Sequence, residues 1–196
     1  MKVLTLVLGE LQTNCYIVSA KDGQAFVIDP ADDAGQIKTC LEQNGLRPSF
    51  IVNTHGHIDH IKADKALGLP VYIHELDAQM VSDPAKNAMS FFFGDFEPVV
   101  PQRLLADADH LTLAELDFEV LHTPGHTRGC LCLYGHGCLF SGDTLFRHGI
   151  GRTDFPGASA RQMEASLKRL AALPSETVVY PGHGPHTTIG RELGSR

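Results

Sequence analysis

The chain has 196 residues, and 43% of them are hydrophobic, which is enough to fill one sizeable core. Its formal net charge of −7 at pH 7, without any run of lysines or arginines, argues against a nucleic-acid-binding protein. No repeat, low-complexity segment or linker divides the sequence, so we expect a single domain over residues 1–196.

The opening segment MKVLTLVLGELQTN predicts a strand. It has too few apolar residues before Gly9 for the core of a signal peptide, and far too few to span a bilayer. The five cysteines are odd in number and form no C-x-x-C pair, which is typical of reduced thiols. We therefore expect a cytoplasmic protein that does not interact with membranes.

Apolar runs bounded by turn residues predict strands that alternate with helical patterns. In the first half, the predicted strands are VLTLVL, CYIVS, AFVID, FIVNT and VYIHE. Helices are predicted from Asp33 to Asn44, from Ile58 to Leu67 and from Asp77 onward. In the second half, the predicted strands are DFEVLHT, CLCLYG, CLFSGD and TVVYPG, and the amphipathic helix SARQMEASLKRLAAL precedes the last of them. This order predicts two packed sheets with helices outside.

A dense cluster of ligand-type side chains, THGHIDH at 54–60, follows the predicted strand FIVNT. Histidine and aspartate are preferred ligands of zinc and similar cations, and clustering them without a cation leaves competing polar groups together. In an extended loop the side chains of His55 and His57 converge, whereas Asp59 and His60 begin a helix and point elsewhere. The motif therefore predicts that one loop serves two neighbouring metal positions.

Three later strand ends present one further ligand each. His126 lies in TPGHT, Asp143 in SGDT and His183 in PGHG, and each motif follows an apolar strand. Loops at strand ends hold functional groups on a rigid frame. Together with THGHIDH these motifs supply five histidines and two aspartates, enough for two metals with vacant positions for water or substrate.

The chain resembles the metallo-β-lactamase fold superfamily, and within it the small glyoxalase II-like hydrolases. The resemblance covers essentially the whole chain and rests on the ordered motifs THGHIDH, TPGHT, SGDTLF and PGHG, on the opening LGELQTNCYIV and on GRTDF at 151–155. It implies an α/β fold, the αββα sandwich of two mixed β-sheets flanked by helices, with the metal site along one edge. It also implies ligand roles: one metal is bound by His55, His57 and His126, the other by Asp59, His60 and His183, and Asp143 bridges the two.

The activity that the resemblance implies is hydrolysis of a thioester of the hydroxyacylglutathione type, S-lactoylglutathione, by a metal-bound hydroxide. The implied cofactors are two divalent metal ions, with zinc favoured and iron or manganese also suited to these ligands. Asp59 is the candidate catalytic residue, because its carboxylate can accept the proton of the attacking water as well as bind metal. The expected partner is a small-molecule thioester, and the sequence leaves the oligomeric state open.

Two alternatives stay open at this point. Sulfur dioxygenases, which oxidise glutathione persulfide with one iron held by two histidines and a carboxylate, also resemble the sequence, and His55, His126 and Asp143 would form that set here. The intact second set of ligands favours the hydrolase. The other alternative is a non-catalytic, metal-stabilised binding protein.

Substrate contacts are expected outside the metal ligands. Full-length glyoxalase II proteins add a helical C-terminal domain with basic residues for glutathione, and this chain ends 13 residues after His183, so we expect it to lack that domain. Arg152 in GRTDF is the candidate substrate-binding residue, and an ion pair with Asp154 is the structural alternative. The segment MSFFFGDFEPVVP at 89–101 is interpreted as core filling, with part of it as a wall of the substrate entrance.

Overall fold

The computed structural model describes residues 1–87, 94 and 96–194. The strands of the first sheet lie side by side in chain order, and they are Lys2–Leu8 (β1), Thr13–Ser19 (β2), Gln24–Ile28 (β3), Arg47–Asn53 (β4), Val71–His74 (β5) and Arg103–Leu105 (β6). Strands β1 to β3 pair antiparallel, and β3 to β6 pair parallel. The first sheet is therefore mixed.

The remaining strands are His110–Leu113 (β7), Leu116–His122 (β8), Leu131–Gly135 (β9), Cys138–Gly142 (β10), Leu145–Phe146 (β11), Gly149–Ile150 (β12), Val178–Pro181 (β13) and Thr187–Thr188 (β14). Strands β11 and β12 form a small ribbon, and the others form the second sheet in the order β14-β13-β10-β9-β8-β7. In this sheet β10 and β13 pair parallel and the other neighbours pair antiparallel. The second sheet is therefore mixed as well.

Helices connect the strands and cover the sheets. Within the described residues, the α-helices are Ala34–Gln43 (α1), Ile58–Ile61 (α2), Asp64–Leu67 (α3), Ala78–Ser82 (α4), Ala160–Leu170 (α5) and Ile189–Leu193 (α6). Short 3-10 turns at Glu75–Asp77 and Pro84–Lys86 flank α4. None of these helices has the length and apolar character that a bilayer span requires.

The main apolar core fills the space between the two sheets. Phe26 of the first sheet meets Phe118 of the second, with ring centroids 5.7 Å apart, and Tyr16 meets Phe140 in the same way at 5.3 Å. All four side chains are buried. Each aromatic residue removes about 150–250 Å² from water, so these pairs hold the two sheets together.

The outer faces of the sheets are covered by helices. Ile37 of α1 packs against Val27 and Ile51 of the first sheet. On the other side of the molecule, Leu170 of α5 packs against Val179 of the second sheet. The layers are therefore helix, sheet, sheet and helix, and the predicted αββα sandwich of two mixed sheets is confirmed.

The helix predicted from Ile58 to Leu67 is wrong as a single element, because it consists of the separate helices α2 and α3. Ala63 lies at the break, and its backbone N–H donates to the carbonyl of Pro30 (2.9 Å) rather than to the preceding helical turn. Asp64 then turns inward and accepts a hydrogen bond from Asn53 (2.7 Å). Contacts with distant segments thus replace the helical hydrogen bond at this point.

The aromatic segment at 89–101 is described only in part. Residues 88–93 and 95 lie outside the described residues, so the interpretation of that stretch stays a prediction. Phe96 is buried and packs with Ile58, Ile61 and other apolar side chains beneath α2. This phenylalanine therefore fills a core.

The strands that precede the histidine and aspartate motifs all end at one edge of the sandwich. Strands β4, β8, β10 and β13 end at Asn53, His122, Gly142 and Pro181. The loops that follow them bring their side chains within a few ångströms of one another. The fold therefore collects motifs that are far apart in the sequence.

Replacing Phe118 with alanine should destabilise the sandwich, because its fully buried ring contacts Phe26 and Phe140 at 5.7 and 5.9 Å. We expect a loss of about 3–5 kcal/mol in the free energy of unfolding, measured by urea denaturation of metal-free protein. Val100→Ala is the control, because this side chain is 74% exposed, and it should change stability by less than about 0.5 kcal/mol. A loss below about 1 kcal/mol for Phe118→Ala would contradict the assigned core.

Candidate metal centre

The loop after β4 and the first turn of α2 carry four of the seven predicted ligands. His57 precedes α2 and has extended backbone angles, φ −67° and ψ 146°, so the chain becomes helical only after it. His55 and His57 are neighbours, with Nε2 of the first 3.1 Å from Nδ1 of the second. Asp59 and His60 instead project from the helix. The local backbone therefore divides THGHIDH into two pairs, as the sequence predicts.

The structure brings all seven predicted ligands together in three overlapping groups. In each group, one potential ligand atom from each residue lies within 4.8 Å of the others. The groups are His55, His57 and His126; His55, His60 and Asp143; and Asp59, His60 and His183. The first and third contain the residues that the resemblance assigns to separate metals. In the second, Asp143 joins one histidine from each of the other two, while its bridging role stays a prediction.

Three histidines are held by their Nδ1 atoms so that Nε2 faces the centre. Nδ1 of His126 donates to the carbonyl of Arg152 (2.8 Å), and Nδ1 of His183 donates to the carbonyl of Leu11 (3.0 Å). In His60, Nδ1 lies 2.9 Å from a carboxylate oxygen of Asp29. A carbonyl oxygen only accepts, so Nδ1 carries a proton in His126 and His183, and Nε2 is the nitrogen available to a metal.

Asp143 lies between the histidines of different groups. Its Oδ1 is 3.4 Å from Nε2 of His60, and its Oδ2 is 3.5 Å from Nε2 of His126 and 3.6 Å from Nε2 of His183. Asp59 is placed to one side, with Oδ2 3.3 Å from Nε2 of His183. Asp143 therefore lies between histidines of both predicted sets, whereas Asp59 lies beside the histidines of its own set.

The pKa values of His55 and His57 are shifted in one direction, and the pKa of His60 is shifted in the other. Burial lowers the pKa of His55, and burial together with the charge of His126 lowers the pKa of His57 to about 3. Burial acts on His60 in the same direction, but the surrounding carboxylates, Asp59 foremost, outweigh it and raise its pKa to about 10. Without metal, His55 and His57 therefore offer neutral imidazoles. A cation that binds His60 must instead displace a proton.

The chemistry of the donor atoms fits a metal site. Among the described residues, buried side-chain atoms without a hydrogen-bond partner include Nε2 of His60, Nε2 of His126 and Oδ1 of Asp143. An unsatisfied buried polar atom costs about 1–3 kcal/mol, and these three all face the same space. Imidazole and carboxylate ligands suit zinc, iron and manganese. Divalent cations bound by the three groups would give each of these atoms a partner.

Arg152 lies beside the centre, and its side chain pairs with Asp154. The guanidinium donates to both carboxylate oxygens, at 2.9 and 2.8 Å, and its carbon lies 4.3 Å from the ring centroid of Phe155. That ring is in turn 5.6 Å from the ring of His57. The structure therefore contains the ion pair that the sequence offers as an alternative. Substrate binding by Arg152 stays a prediction.

Sequence reasoning missed Asp29, a buried carboxylate directly after β3. It accepts hydrogen bonds from the backbone N–H of Thr54 (2.7 Å), from the Thr54 hydroxyl (2.7 Å) and from Nδ1 of His60 (2.9 Å). One signal was available, because the predicted strand AFVID ends in an acid just as CLFSGD ends in Asp143. Asp29 therefore orients a ligand without belonging to any of the three groups.

The sequence matches the metallo-β-lactamase superfamily over residues 8–183. It is 31% identical over 204 residues to the hydroxyacylglutathione hydrolase GloC of Haemophilus influenzae, and the alignment covers 100% of this chain and 96% of the relative. Similar solved structures include the BLEG-1 B3 metallo-β-lactamase, with TM-score 0.90, 37% identity and 99% and 97% of the two chains covered. They also include TTHA1623 in a di-iron-bound form, with TM-score 0.86, 41% identity and 96% of each chain covered.

Replacing Asp29 with asparagine should weaken metal binding at His60. If the amide oxygen stays on Thr54, the NH₂ group faces Nδ1 of His60 and favours the tautomer with its proton on Nε2, the atom that faces the centre. We expect a loss of about 10–100-fold in affinity for one metal ion, measured by titrating metal-free protein with Zn²⁺ against a chelator.

The control for this variant is Asp117→Asn. Asp117 accepts from Nδ1 of His110 at 2.9 Å in the same way, but this pair is exposed on the second sheet. The control should bind zinc as the wild-type protein does. Equal zinc affinities in Asp29→Asn and wild type would show that Asp29 does not orient the ligand.

Proposed function

Because the chain belongs to the metallo-β-lactamase superfamily, we propose that it is a metal-dependent thioesterase of the hydroxyacylglutathione hydrolase type. One observation carries the proposal, the convergence of seven imidazole and carboxylate side chains in three overlapping groups. Full-length similarity to a hydroxyacylglutathione hydrolase supports the substrate class. The proposed substrate is a small thioester such as S-lactoylglutathione. The proposed cofactors are two divalent metal ions, zinc or alternatively iron or manganese.

We assign the ligands in two sets. One ion would be held by His55, His57 and His126, the other by Asp59, His60 and His183, with Asp143 between them. Bound ions would polarise the substrate carbonyl and lower the pKa of water towards neutrality. The three-histidine set carries no carboxylate of its own, so its ion would keep more positive charge than the other.

Asp59 is the residue of this chain that we propose as the proton acceptor. Burial tends to raise its pKa, but His60 and His183 outweigh burial and hold the pKa well below its usual range. The hydroxyl of Thr13 donates to Oδ2 of Asp59 at 3.2 Å and fixes its orientation. The carboxylate is therefore ionised at neutral pH, as a proton acceptor must be.

A thioester matches the other groups at the site. Its thiolate leaving group departs with little need for a proton, because thiols have lower pKa values than alcohols or amines. The ring of Phe155 lies beside His57 and offers an apolar surface to the acyl group. Arg152, whose side chain is 65% exposed, could exchange Asp154 for a carboxylate of the substrate.

Replacing His57 or Asp59 with alanine should abolish thioester hydrolysis and leave the fold intact. His57→Ala removes a ligand of the three-histidine set, and Asp59→Ala removes a ligand together with the proton acceptor. We expect turnover of S-lactoylglutathione to fall roughly 100-fold or more, measured on purified protein whose metal content per chain is determined by elemental analysis.

His110→Ala is the matched control, because this exposed histidine contacts Asp117 on the second sheet and none of the donor groups. It should retain wild-type turnover. Near-normal hydrolysis by metal-quantified His57→Ala and Asp59→Ala would contradict the proposal. One iron per wild-type chain, with oxygen uptake on glutathione persulfide and no thioester hydrolysis, would replace it with the dioxygenase alternative. Two bound metals without turnover of either substrate would favour a binding protein.

A further inference from the structure

Asp77 is a buried acid that belongs to none of the sequence motifs. It is the last residue of the 3-10 turn Glu75–Asp77, which follows β5, and it is 1% exposed. A carboxylate is expensive to bury unless hydrogen bonds compensate for the water that it loses. The partners of Asp77 therefore indicate what its burial achieves.

The carboxylate of Asp77 binds two different ligand loops. Its Oδ2 accepts from the backbone N–H of Gly56 at 3.1 Å and from the hydroxyl of Thr127 at 2.6 Å. Its Oδ1 accepts from the backbone N–H of Gly129 at 2.7 Å. Gly56 lies between His55 and His57, whereas Thr127 directly follows the third histidine of that set. One side chain thus contacts the segments that present all three histidines.

Two glycines allow this close approach. A Cβ atom on Gly129 would lie 2.7 Å from Cγ of Asp77, which no real contact permits, and one on Gly56 would lie 2.5 Å from Cβ of Met80. The carbonyl of Gly56 also accepts a hydrogen bond from the side chain of Asn87 (2.7 Å). Gly56, the residue between the first two histidines, is therefore held at both its N–H and its C=O.

The three-histidine set depends on the relative placement of two loops. Its histidines come from loops on different sheets, after β4 and after β8, and no carboxylate belongs to it. The two loops are also joined by a backbone hydrogen bond from Leu131 to Thr54 at 2.9 Å, which does not involve Asp77. Loss of Asp77 would therefore change how the loops are placed while the fold keeps this second link.

We propose that Asp77 is a positioning residue that sets the spacing of His55 and His57 relative to His126, and thereby the metal affinity of the three-histidine set. This role rests on the proposed metal-dependent function. Asp77 touches neither the metal position nor the reacting atoms, since its contacts are backbone N–H groups and the hydroxyl of Thr127. Its effect should therefore appear first in metal binding and only as a consequence in turnover.

The test is a zinc titration of metal-free protein against a chelator, with metal content per chain and thioester turnover measured on the same samples. Asp77→Asn keeps the size of the side chain but replaces one accepting oxygen with a donor. We expect one of the two zinc affinities to fall about 10–100-fold and the other to stay within about threefold of wild type. Excess zinc should restore turnover.

Two controls separate positioning from loss of stability. Asp64→Asn makes the same change at another buried acid, which accepts from Asn53 rather than from a ligand loop, and it should leave both zinc affinities unchanged. At position 127, Thr127→Val removes the hydroxyl that donates to Asp77, whereas Thr127→Ser keeps it. The valine variant should lose affinity at the same metal position, and the serine variant should bind as wild type does. If Asp77→Asn fails to fold, the comparison of Thr127→Val with Thr127→Ser tests the positioning role in its place.

Wild-type zinc affinities in both Asp77→Asn and Thr127→Val would overturn the positioning role and leave the proposed function standing. Equal losses in Asp64→Asn and Asp77→Asn would also overturn it, because they would reflect general destabilisation. A wild-type chain that takes up no zinc, iron or manganese would overturn the proposed function and the positioning role together. A selective loss at one metal position, with wild-type thioester turnover restored by excess zinc, supports both.

Discussion

The centre depends on one constraint. Imidazole and carboxylate side chains buried at the sheet edge lose hydrogen bonds to water, and hydrogen bonds to the protein must replace them on the side that faces the protein. His126 and His183 meet this requirement through backbone carbonyls, and His60 meets it through Asp29. The ring orientation that follows leaves Nε2 of each histidine facing inward. Hydrogen bonding at the periphery therefore determines which atoms are presented at the centre.

The candidate ligands and the fold class could be read from the sequence because their signals are local, and the structure confirms the fold and the convergence of these side chains. THGHIDH occupies seven consecutive positions, and apolar periodicity reports strands and helices within a few residues. The acids that support the ligand loops are harder to recognise, since only the position at the end of a predicted strand marks Asp29 and no motif contains Asp77. Asp29 and His60 are 31 positions apart and meet because β3 pairs with β4. Asp77 and Thr127 are 50 positions apart and meet because the two sheets pack together. The break between α2 and α3 escaped prediction for the same reason, since it depends on the carbonyl of Pro30.

The two ligand sets differ in charge although they share one cleft. The histidines at 55 and 57 are kept neutral by burial, whereas His60 is kept charged by the acids around it. Each set also has its own supporting carboxylate, Asp29 beside His60 and Asp77 beside the loop at Gly56. The two proposed metal positions therefore differ in the charge of their histidines and in the carboxylate that supports them. Asp143 faces both positions.

The outward hydrogen bonds of the histidines bear on how the protein would take up metal in the cell. Because carbonyls and a carboxylate of the chain itself hold these rings, the inward-facing nitrogens are oriented without the help of a cation. Under the proposed function, the ion supply would then decide among zinc, iron and manganese, because imidazole and carboxylate ligands suit all three. The same protein could thus carry different metals in cells grown in media of different metal content.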